Sequence, residues 1–283
     1  MRVTAAGSDV LQVFESNLGG LPNLRTYFRQ LWRRRAFATE LSRATLKAEN
    51  SDTVIGQLWL LLNPLLQAGI YYMLVFILSN GKNRGPDYLA HLLAGIFAFT
   101  FLQGAMSSGA VAVTSARNLV LNTPFPRLLL VIAAMRTNFR RFLPTIPIFF
   151  VTFLATGGHP RWEQLLAIPA FALLAIFSFG LCSLLATLQL FFRGTVGLLP
   201  FITRMWLYIS PVLYFAEDLP SRFRMIQPIN PLYSILGAWG DTAVRGQIPE
   251  LHVWLTSAAW AFGALALGMW SFMSKESDFA VRI

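Results

Sequence analysis

Six long apolar stretches dominate this chain and constrain its fold more than any other feature. A bilayer core of about 30 Å is crossed by about 20 mostly apolar residues in a helix. Stretches of that kind occupy residues 57–78, 88–113, 128–155, 164–192, 195–215 and 251–273. The chain is 55% hydrophobic and 13% charged, which is too apolar for a soluble domain of 283 residues. The sequence therefore predicts an all-α integral membrane protein with six transmembrane helices.

The distribution of basic residues predicts how these helices are oriented. An even number of spans places both ends on one side, where thirteen Lys and Arg residues fall, against six on the other side. Because basic residues accumulate in cytoplasmic loops, we expect both termini in the cytoplasm. This divides the chain into a cytoplasmic segment (1–56), a transmembrane domain (57–274) and a cytoplasmic tail (275–283). The net charge of +10 then indicates contact with anionic membrane lipids rather than nucleic acid.

An amphipathic pattern precedes the first span. Large apolar residues recur at helical spacing from Leu24 to Trp32, and arginines surround the other face. The predicted surface comprises Phe28, Leu31, Trp32, Arg33, Arg34 and Arg35. We expect a helix in the cytoplasmic membrane interface. It is either a simple anchor or a gate that sorts a lipid-linked substrate.

The segment 217–250 is unusual because it is long, partly apolar and interrupted by Pro220, Pro228 and Pro231. Its apolar runs are too short to cross a bilayer. A pair of short helices that re-enter the outer leaflet would keep the backbone hydrogen-bonded, and an ordinary external hairpin is the alternative.

Four stretches of the chain carry motifs in a fixed order. The first lies at the first span, with Gly56, Leu58, Trp59, Pro64 and Leu65. The second follows the second span, with Asn118, Leu119, Phe125, Pro126 and Arg127. The third follows the fifth span, with Ser210, Pro211, Tyr214, Pro220, Arg224, Asn230, Pro231 and Leu232. The fourth is the tail, with Glu276, Phe279 and Ala280. In order and spacing, the four resemble ABC-2 permeases.

The tail resembles the ABC-2 branch that exports O-antigen and teichoic acid glycans, and the whole chain looks most like permeases for lipid-linked cell-wall galactan. This resemblance implies the ABC-2 exporter fold in a bacterial inner membrane. It also implies a homodimer that pairs with two copies of an ATP-binding ABC subunit, and a polyprenyl-diphosphate-linked polysaccharide as substrate. The predicted coupling surface for the ATPase comprises Asn118, Leu119, Val120, Phe125 and Arg127. Its apolar side chains would dock in a groove of the partner.

The chain lacks residues for its own energy supply. No phosphate-binding G-x-x-x-x-G-K-[ST] motif occurs, and all thirteen Asp and Glu residues lie outside the six stretches. Ion-driven transporters commonly carry ionisable groups near the midplane. We therefore expect a transport subunit without enzyme activity, with ATP and Mg²⁺ bound only by the partner. One cysteine and three scattered histidines predict neither a disulfide nor a metal site.

Arginines inside the apolar stretches are the strongest candidates for substrate contact. Each one near the bilayer centre costs about 2.5 to 3.5 kcal/mol on insertion scales, so it should face the protein interior. One hypothesis is that they bind a substrate diphosphate. The alternative is pairing with backbone carbonyls or a partner subunit, or snorkelling. The predicted pathway comprises Arg136, Arg140, Arg141 and Arg204 with the aromatic residues Tyr72, Phe76, Trp206 and Tyr208.

Two other functions remain open at the level of sequence. An ABC-2 permease for a drug or lipid would share the fold. An integral-membrane polyprenyl-phosphate enzyme would need acidic groups at a membrane face. The only adjacent carboxylates that the sequence offers for this are Glu217 and Asp218, on the predicted external side.

Overall fold

The computed structural model describes residues 24–50, 58–78, 85, 87–215 and 229–283, and the regular structure in these ranges is entirely helical. Its α-helices are α1 (Leu24–Arg33), α2 (Arg35–Asn50), α3 (Trp59–Leu78), α4 (Asp87–Val111), α5 (Arg117–Asn122), α6 (Leu128–Phe142), α7 (Thr145–Ala155), α8 (Ala167–Phe191), α9 (Thr195–Ile209), α10 (Pro231–Gly240), α11 (Leu251–Lys275) and α12 (Phe279–Arg282). A π-helical turn, Asp241–Arg245, follows α10. The all-α prediction is confirmed for these residues.

Within the described ranges, four helical runs are long and apolar enough to cross a membrane: Leu61–Leu78, Asp87–Val111, Trp162–Phe191 and Leu251–Arg282. They correspond to the first, second, fourth and sixth predicted spans. The fifth predicted span, 195–215, contains the apolar helix α9, which ends at Ile209. Its 15 residues extend about 22 Å, less than the bilayer core. The total of six crossings therefore stays a prediction.

The third predicted span is divided into two helices. α6 ends at Phe142 and α7 begins at Thr145. Pro144 and Pro147 have no N–H group, so neither can donate the bond that continues a helix. Four residues before the end of α6, Asn138 Nδ2 donates to Ser108 Oγ at 2.6 Å and joins α6 to α4.

The closest helix packing joins α8 and α11. A Cβ atom added at Gly268 would overlap the carbonyl oxygen of Gly180, and one added at Gly180 would overlap the backbone of Ala264. Small residues four apart allow helix backbones in membranes to approach in this way. The backbones of α8 and α11 are therefore in direct contact at these glycines.

An apolar cluster closes one end of the bundle, which we call the tail end and define by α1, α5 and residues 276–283. Phe272 and Phe279 are fully buried there, with ring centroids 4.9 Å apart in an edge-to-face arrangement. Tyr27 and Leu31 of α1 belong to the same cluster. The tail with the Phe-Ala motif is therefore packed into the fold.

A carboxylate clasp holds three separate segments together at the tail end. Tyr27 Oη donates to Glu276 Oε2 at 2.5 Å, and the backbone N–H of Arg127 donates to Glu276 Oε1 at 2.6 Å. The Arg127 side chain also donates to the backbone carbonyl of Glu276. Burial, together with the Glu276 carboxylate, raises the pKa of the Tyr27 phenol above its usual range, so the hydroxyl stays protonated and donates.

The opposite end, which we call the far end, is organised by Asn230. Its side chain caps α10 by accepting from the N–H of Leu232 at 3.1 Å, and Pro231 occupies the first helical position. The Asn230 amide also donates to Ser210 Oγ at 3.2 Å. Residues 216–228 of the predicted re-entrant pair lie outside the described residues, so the pair stays a prediction.

Replacing Gly268 with Ala is expected to destabilise the protein by about 1 to 3 kcal/mol, because the new methyl group overlaps the Gly180 carbonyl. Gly263→Ala on the same helix is the matched control, since a Cβ there meets nothing within 4 Å. Thermal unfolding of the purified variants measures the difference. Equal melting temperatures would contradict the close packing of α8 on α11.

Replacing Glu276 with Gln is expected to loosen α1 from the tail end. The amide replaces one of the two acceptor oxygens with an NH2 donor and removes the negative charge, so the charge-assisted hydrogen bonds from Tyr27 and from the Arg127 N–H cannot both be kept. Hydrogen exchange in residues 24–33 should rise, whereas Glu250→Gln, at an exposed site, should leave it unchanged. Unchanged protection of α1 in the Glu276 variant would show that the clasp does not hold it.

Candidate functional site

Helix α2 lies along the face of α6 that carries the arginines. Arg136 Nη1 donates to the backbone carbonyl of Arg35 at 2.9 Å and also to Thr39 Oγ1. Arg140 Nη1 donates to Ser42 Oγ at 3.3 Å. These two guanidinium groups therefore contact a neighbouring helix of the same chain, which satisfies part of their hydrogen-bonding capacity.

Arg141 is placed differently from the other two. Its Nη2 pairs with Glu49 Oε2 near the carboxyl end of α2, while its Nε is buried without a hydrogen-bond partner. Arg141 also lines two separate cavities, which neither Arg136 nor Arg140 does. The structure thus divides the predicted arginine set and leaves Arg141 as the member that faces open space.

Arg141 shares both of its cavities with residues of α4. Arg141 lines one cavity with Gly104 and another with Ser108. These α4 residues are seven and three positions before Val111, or about 10 and 5 Å along the helix.

An open groove of about 950 Å³ lies between α2, α4, α5 and α6, and we call it the inner groove. Its volume is at the upper end of the roughly 300 to 1,000 Å³ of small-molecule sites. Its lining residues are Leu41, Thr45, Ala48, Glu49, Ser108, Val111, Ala112, Ser115, Ala116, Arg117, Asn118, Leu119, Leu130, Ala133, Ala134, Thr137 and Arg141. Hydroxyl, amide and guanidinium groups are mixed with small apolar side chains, which suits a polar head group.

A smaller cavity of about 190 Å³ lies on another side of Arg141, and we call it the deep cavity. Its lining residues are Trp59, Asn63, Pro64, Phe97, Thr100, Phe101, Gly104, Asn138, Arg141, Phe142 and Thr145. Trp59 and Pro64 belong to the first motif of the sequence. Thr100 Oγ1, like Arg141 Nε, is buried without a partner. Two unsatisfied polar groups therefore line the deep cavity.

The remaining pathway candidates occupy varied positions. Trp206 Nε1 donates to Asn230 Oδ1 at 2.8 Å, and its ring packs on Phe177. The indole N–H of Trp206 is therefore hydrogen-bonded within the chain. Tyr208 is exposed and meets Tyr71 of α3 edge to face at 6.3 Å.

On α3, Tyr72 is half-buried with its ring 6.2 Å from Tyr88, and Phe76 is exposed. Arg204 is exposed on α9. The structure therefore does not bring the four aromatic candidates into one lining with the arginines of α6.

We call the segment that carries the predicted coupling surface (Asn118, Leu119, Val120, Phe125 and Arg127) the coupling segment. It packs partly against other parts of the same chain. Val120 is buried, which corrects the expectation that its side chain docks on a partner. Leu119 and Phe125 are half-buried, and the Phe125 ring lies 5.4 Å from Phe37 of α2. Leu121, which is 47% exposed, is the apolar side chain that this short helix presents outward.

The amphipathic helix is confirmed as a helix, although its faces differ from the expectation. Leu31 is buried in the tail-end cluster rather than exposed to lipid head groups. Phe28 and Trp32 remain exposed, and the Arg35 guanidinium lies 4.3 Å from the Trp32 ring. Arg34 Nη1 donates to the carbonyl of Pro124 at 2.6 Å and joins α1 to the coupling segment.

Sequence reasoning missed α2 and the groups that it supplies. Glu49 and Ser42 are not apolar, and α2 has no wide hydrophobic stripe. The available signal was the spacing of Ala38 and Ser42, both fully buried, since small residues four apart mark a close helix contact. Thr100 of the deep cavity carried no separate signal.

Comparison with known proteins agrees with the motifs. The ABC-2 type transporter family model matches residues 39–239, well over half of the chain. The O-antigen export system permease protein RfbA of Klebsiella pneumoniae is 28% identical over 204 residues, 72% of this chain and 78% of that protein. The RfbA protein of Myxococcus xanthus is 25% identical over 259 residues, 90% of this chain and 98% of that protein. The chain therefore belongs to the ABC-2 type transporter family and is a multi-pass membrane protein.

Proposed function

We propose that this chain is the permease subunit of an ABC exporter that moves a polyprenyl-diphosphate-linked polysaccharide, O-antigen-like or a cell-wall galactan, from the cytoplasm to the periplasm. The observation that carries the proposal is the inner groove, which combines apolar side chains with the guanidinium groups of Arg117 and Arg141 and adjoins the coupling segment. The names of its relatives, which describe O-antigen export, support this substrate class.

The proposed membrane arrangement has six crossings, with α6 and α7 together forming the third and α9 the fifth. Both termini lie in the cytoplasm of the bacterial inner membrane, and α10 forms part of a re-entrant segment on the periplasmic side. The excess of basic residues at the tail end supports this orientation. The exposed arginines and Trp32 of α1 lie at the lipid head groups.

In this proposal the substrate diphosphate binds in the inner groove. Arg141 and Arg117 both line it and supply positive charge on opposite sides, from α6 and from α5. A guanidinium donates two parallel hydrogen bonds to phosphate oxygens, which favours a diphosphate over a neutral head group. Arg136 and Arg140, being bonded to α2, position that helix rather than bind substrate.

The proposed assembly is a homodimer with a path between the two copies. Large apolar side chains follow one face of α3, and a second exposed apolar face follows α9. The two helices are neighbours through Tyr71 and Tyr208. Pairing of copies over these faces would place Phe76 and Tyr208 beside the path, where aromatic rings can stack on sugar faces.

Energy comes from the partner in this proposal: two ABC subunits bind ATP and Mg²⁺ and dock on α5. Leu121 and Asn118 are the exposed contacts. A push on this segment reaches the amino-terminal helices through the Arg34–Pro124 hydrogen bond and the Phe37–Phe125 contact.

Replacing Leu121 with Asp is expected to abolish co-purification of the ABC subunit, because the docking surface loses its exposed apolar side chain and gains a charge. Leu251→Asp is the matched control, since Leu251 is also exposed but begins α11, away from α5. Affinity purification of the complex from membranes gives the measurement. Full recovery of the ABC subunit with the Leu121 variant would place the docking surface elsewhere.

Depletion of the chain in cells is expected to cause lipid-linked polysaccharide to accumulate on the cytoplasmic side of the membrane, because synthesis continues without export. Extracted lipid-linked glycans are quantified before and after depletion, and cells depleted of the ABC subunit provide the control. In liposomes, export should require both subunits and ATP. Unchanged glycan levels, or transport by the permease alone, would reject the proposed function.

A further inference from the structure

We infer that Glu49 is a built-in competitor for the substrate diphosphate: its carboxylate occupies Arg141 when the inner groove is empty, and the diphosphate displaces it and releases the carboxyl end of α2. This inference rests on the proposed function and adds a regulatory step to the same site. Nothing in the motifs pointed to Glu49, which precedes the first span.

The position of Glu49 supports a displaceable contact. Among the residues that line the inner groove and the deep cavity, Glu49 is the only acidic one. Its side chain is 42% exposed and that of Arg141 is 28% exposed, so the ion pair is open to solvent and to a ligand in the groove. An exposed pair of this kind is weak enough for a stronger anion to replace.

Arg141 has unused capacity for that anion. Glu49 bonds to Nη2, whereas Nε is buried and unpartnered. Thr100 Oγ1, which lines the deep cavity with Arg141, is also unpartnered. A diphosphate has more acceptor oxygens than a carboxylate, so in the inner groove it can replace Glu49 at Nη2 and accept from a second N–H group of the same guanidinium. The deep cavity, at about 190 Å³, is several times the roughly 30 Å³ that one water molecule occupies.

The location of Glu49 on α2 determines what its displacement does to that helix. Glu49 lies in the last turn of α2, where its negative charge interacts unfavourably with the negative end of the helix dipole. The other polar contacts of α2 with α6 come from Arg35, Thr39 and Ser42, all in its first half. Loss of the Arg141 contact therefore detaches the Glu49 side chain from α6, while the polar contacts of Arg35, Thr39 and Ser42 remain.

The test uses the complex of permease and ABC subunit in lipid nanodiscs, with farnesyl diphosphate as the probe and farnesol as the uncharged control. Glu49→Gln is expected to bind the probe about fivefold more tightly than wild type, because the competing charge is gone. Glu40→Gln is the matched control: Glu40 also lies on α2 and pairs with an arginine, Arg43, at 2.6 Å, but it lines neither cavity. Its affinity should equal that of wild type.

Hydrogen exchange gives a second readout that does not depend on affinity. Probe binding should raise exchange in residues 45–49 of wild type, and Glu49→Gln should show the raised exchange without the probe. Binding of the probe to wild type but not to Arg141→Gln would support the diphosphate site. If Glu49→Gln then neither gains affinity for the probe nor changes its hydrogen exchange, the competitor role of Glu49 is overturned while the diphosphate site stands. If wild type does not bind the probe at all, the proposed substrate is overturned instead.

The source of the diphosphate is distinguished by a parallel arm with inorganic pyrophosphate. A lipid-linked substrate predicts that farnesyl diphosphate binds more tightly than pyrophosphate, since its chain contacts apolar surface as well. Equal binding of the two probes would overturn the lipid-linked assignment.

Discussion

The requirement that guanidinium groups on an apolar helix be hydrogen-bonded determines the arrangement of the tail half of this molecule. Three arginines on one apolar helix would be costly in a bilayer without partners. α2 supplies a carbonyl, hydroxyls and a carboxylate along the same face, and Arg136 and Arg141 mark the two ends of that contact. Because α2 is held there, it forms one side of the inner groove and contacts the coupling segment.

Strong local signals made part of this fold predictable. α4, α8 and α11 are long and apolar, so composition alone located them. Pro144 and Pro147 are local signals for the break between α6 and α7, which lies within one predicted span. In contrast, α2 could not be predicted, because its packing face consists of small and polar residues whose partners are arginines about a hundred positions away. Periodicity reports an apolar face that runs along a whole helix, and the apolar residues that α2 packs into the tail-end cluster, Phe37, Ala38 and Leu41, all lie in its first half.

The candidate site was predictable only in outline. The sequence identified Arg141 but grouped it with Arg136 and Arg140, since helical spacing cannot show which guanidinium groups a distant helix covers. Val120 and Leu31 were expected to face outward because they are apolar and lie in motifs or stripes, yet both are buried by segments that are remote in sequence. Burial depends on tertiary neighbours, which a single sequence does not specify.

The two ends of α2 connect the two parts of the proposed mechanism. Arg34, just before its first residue, is bonded to Pro124 of the coupling segment, and Phe37 contacts Phe125. Its last turn carries Glu49 at Arg141. α2 has 16 residues and extends about 24 Å, so a displacement of α5 by the ABC subunit is carried to the inner groove by one rigid element.

Linkage makes this connection reciprocal. If docking of the ABC subunit on α5 changes the binding free energy of a diphosphate at Arg141, then a diphosphate at Arg141 must change the free energy of docking by the same amount. The relevant two-state element is the carboxyl end of α2, attached to Arg141 or released from it. In the proposed mechanism, the ABC subunit therefore responds to substrate through α2.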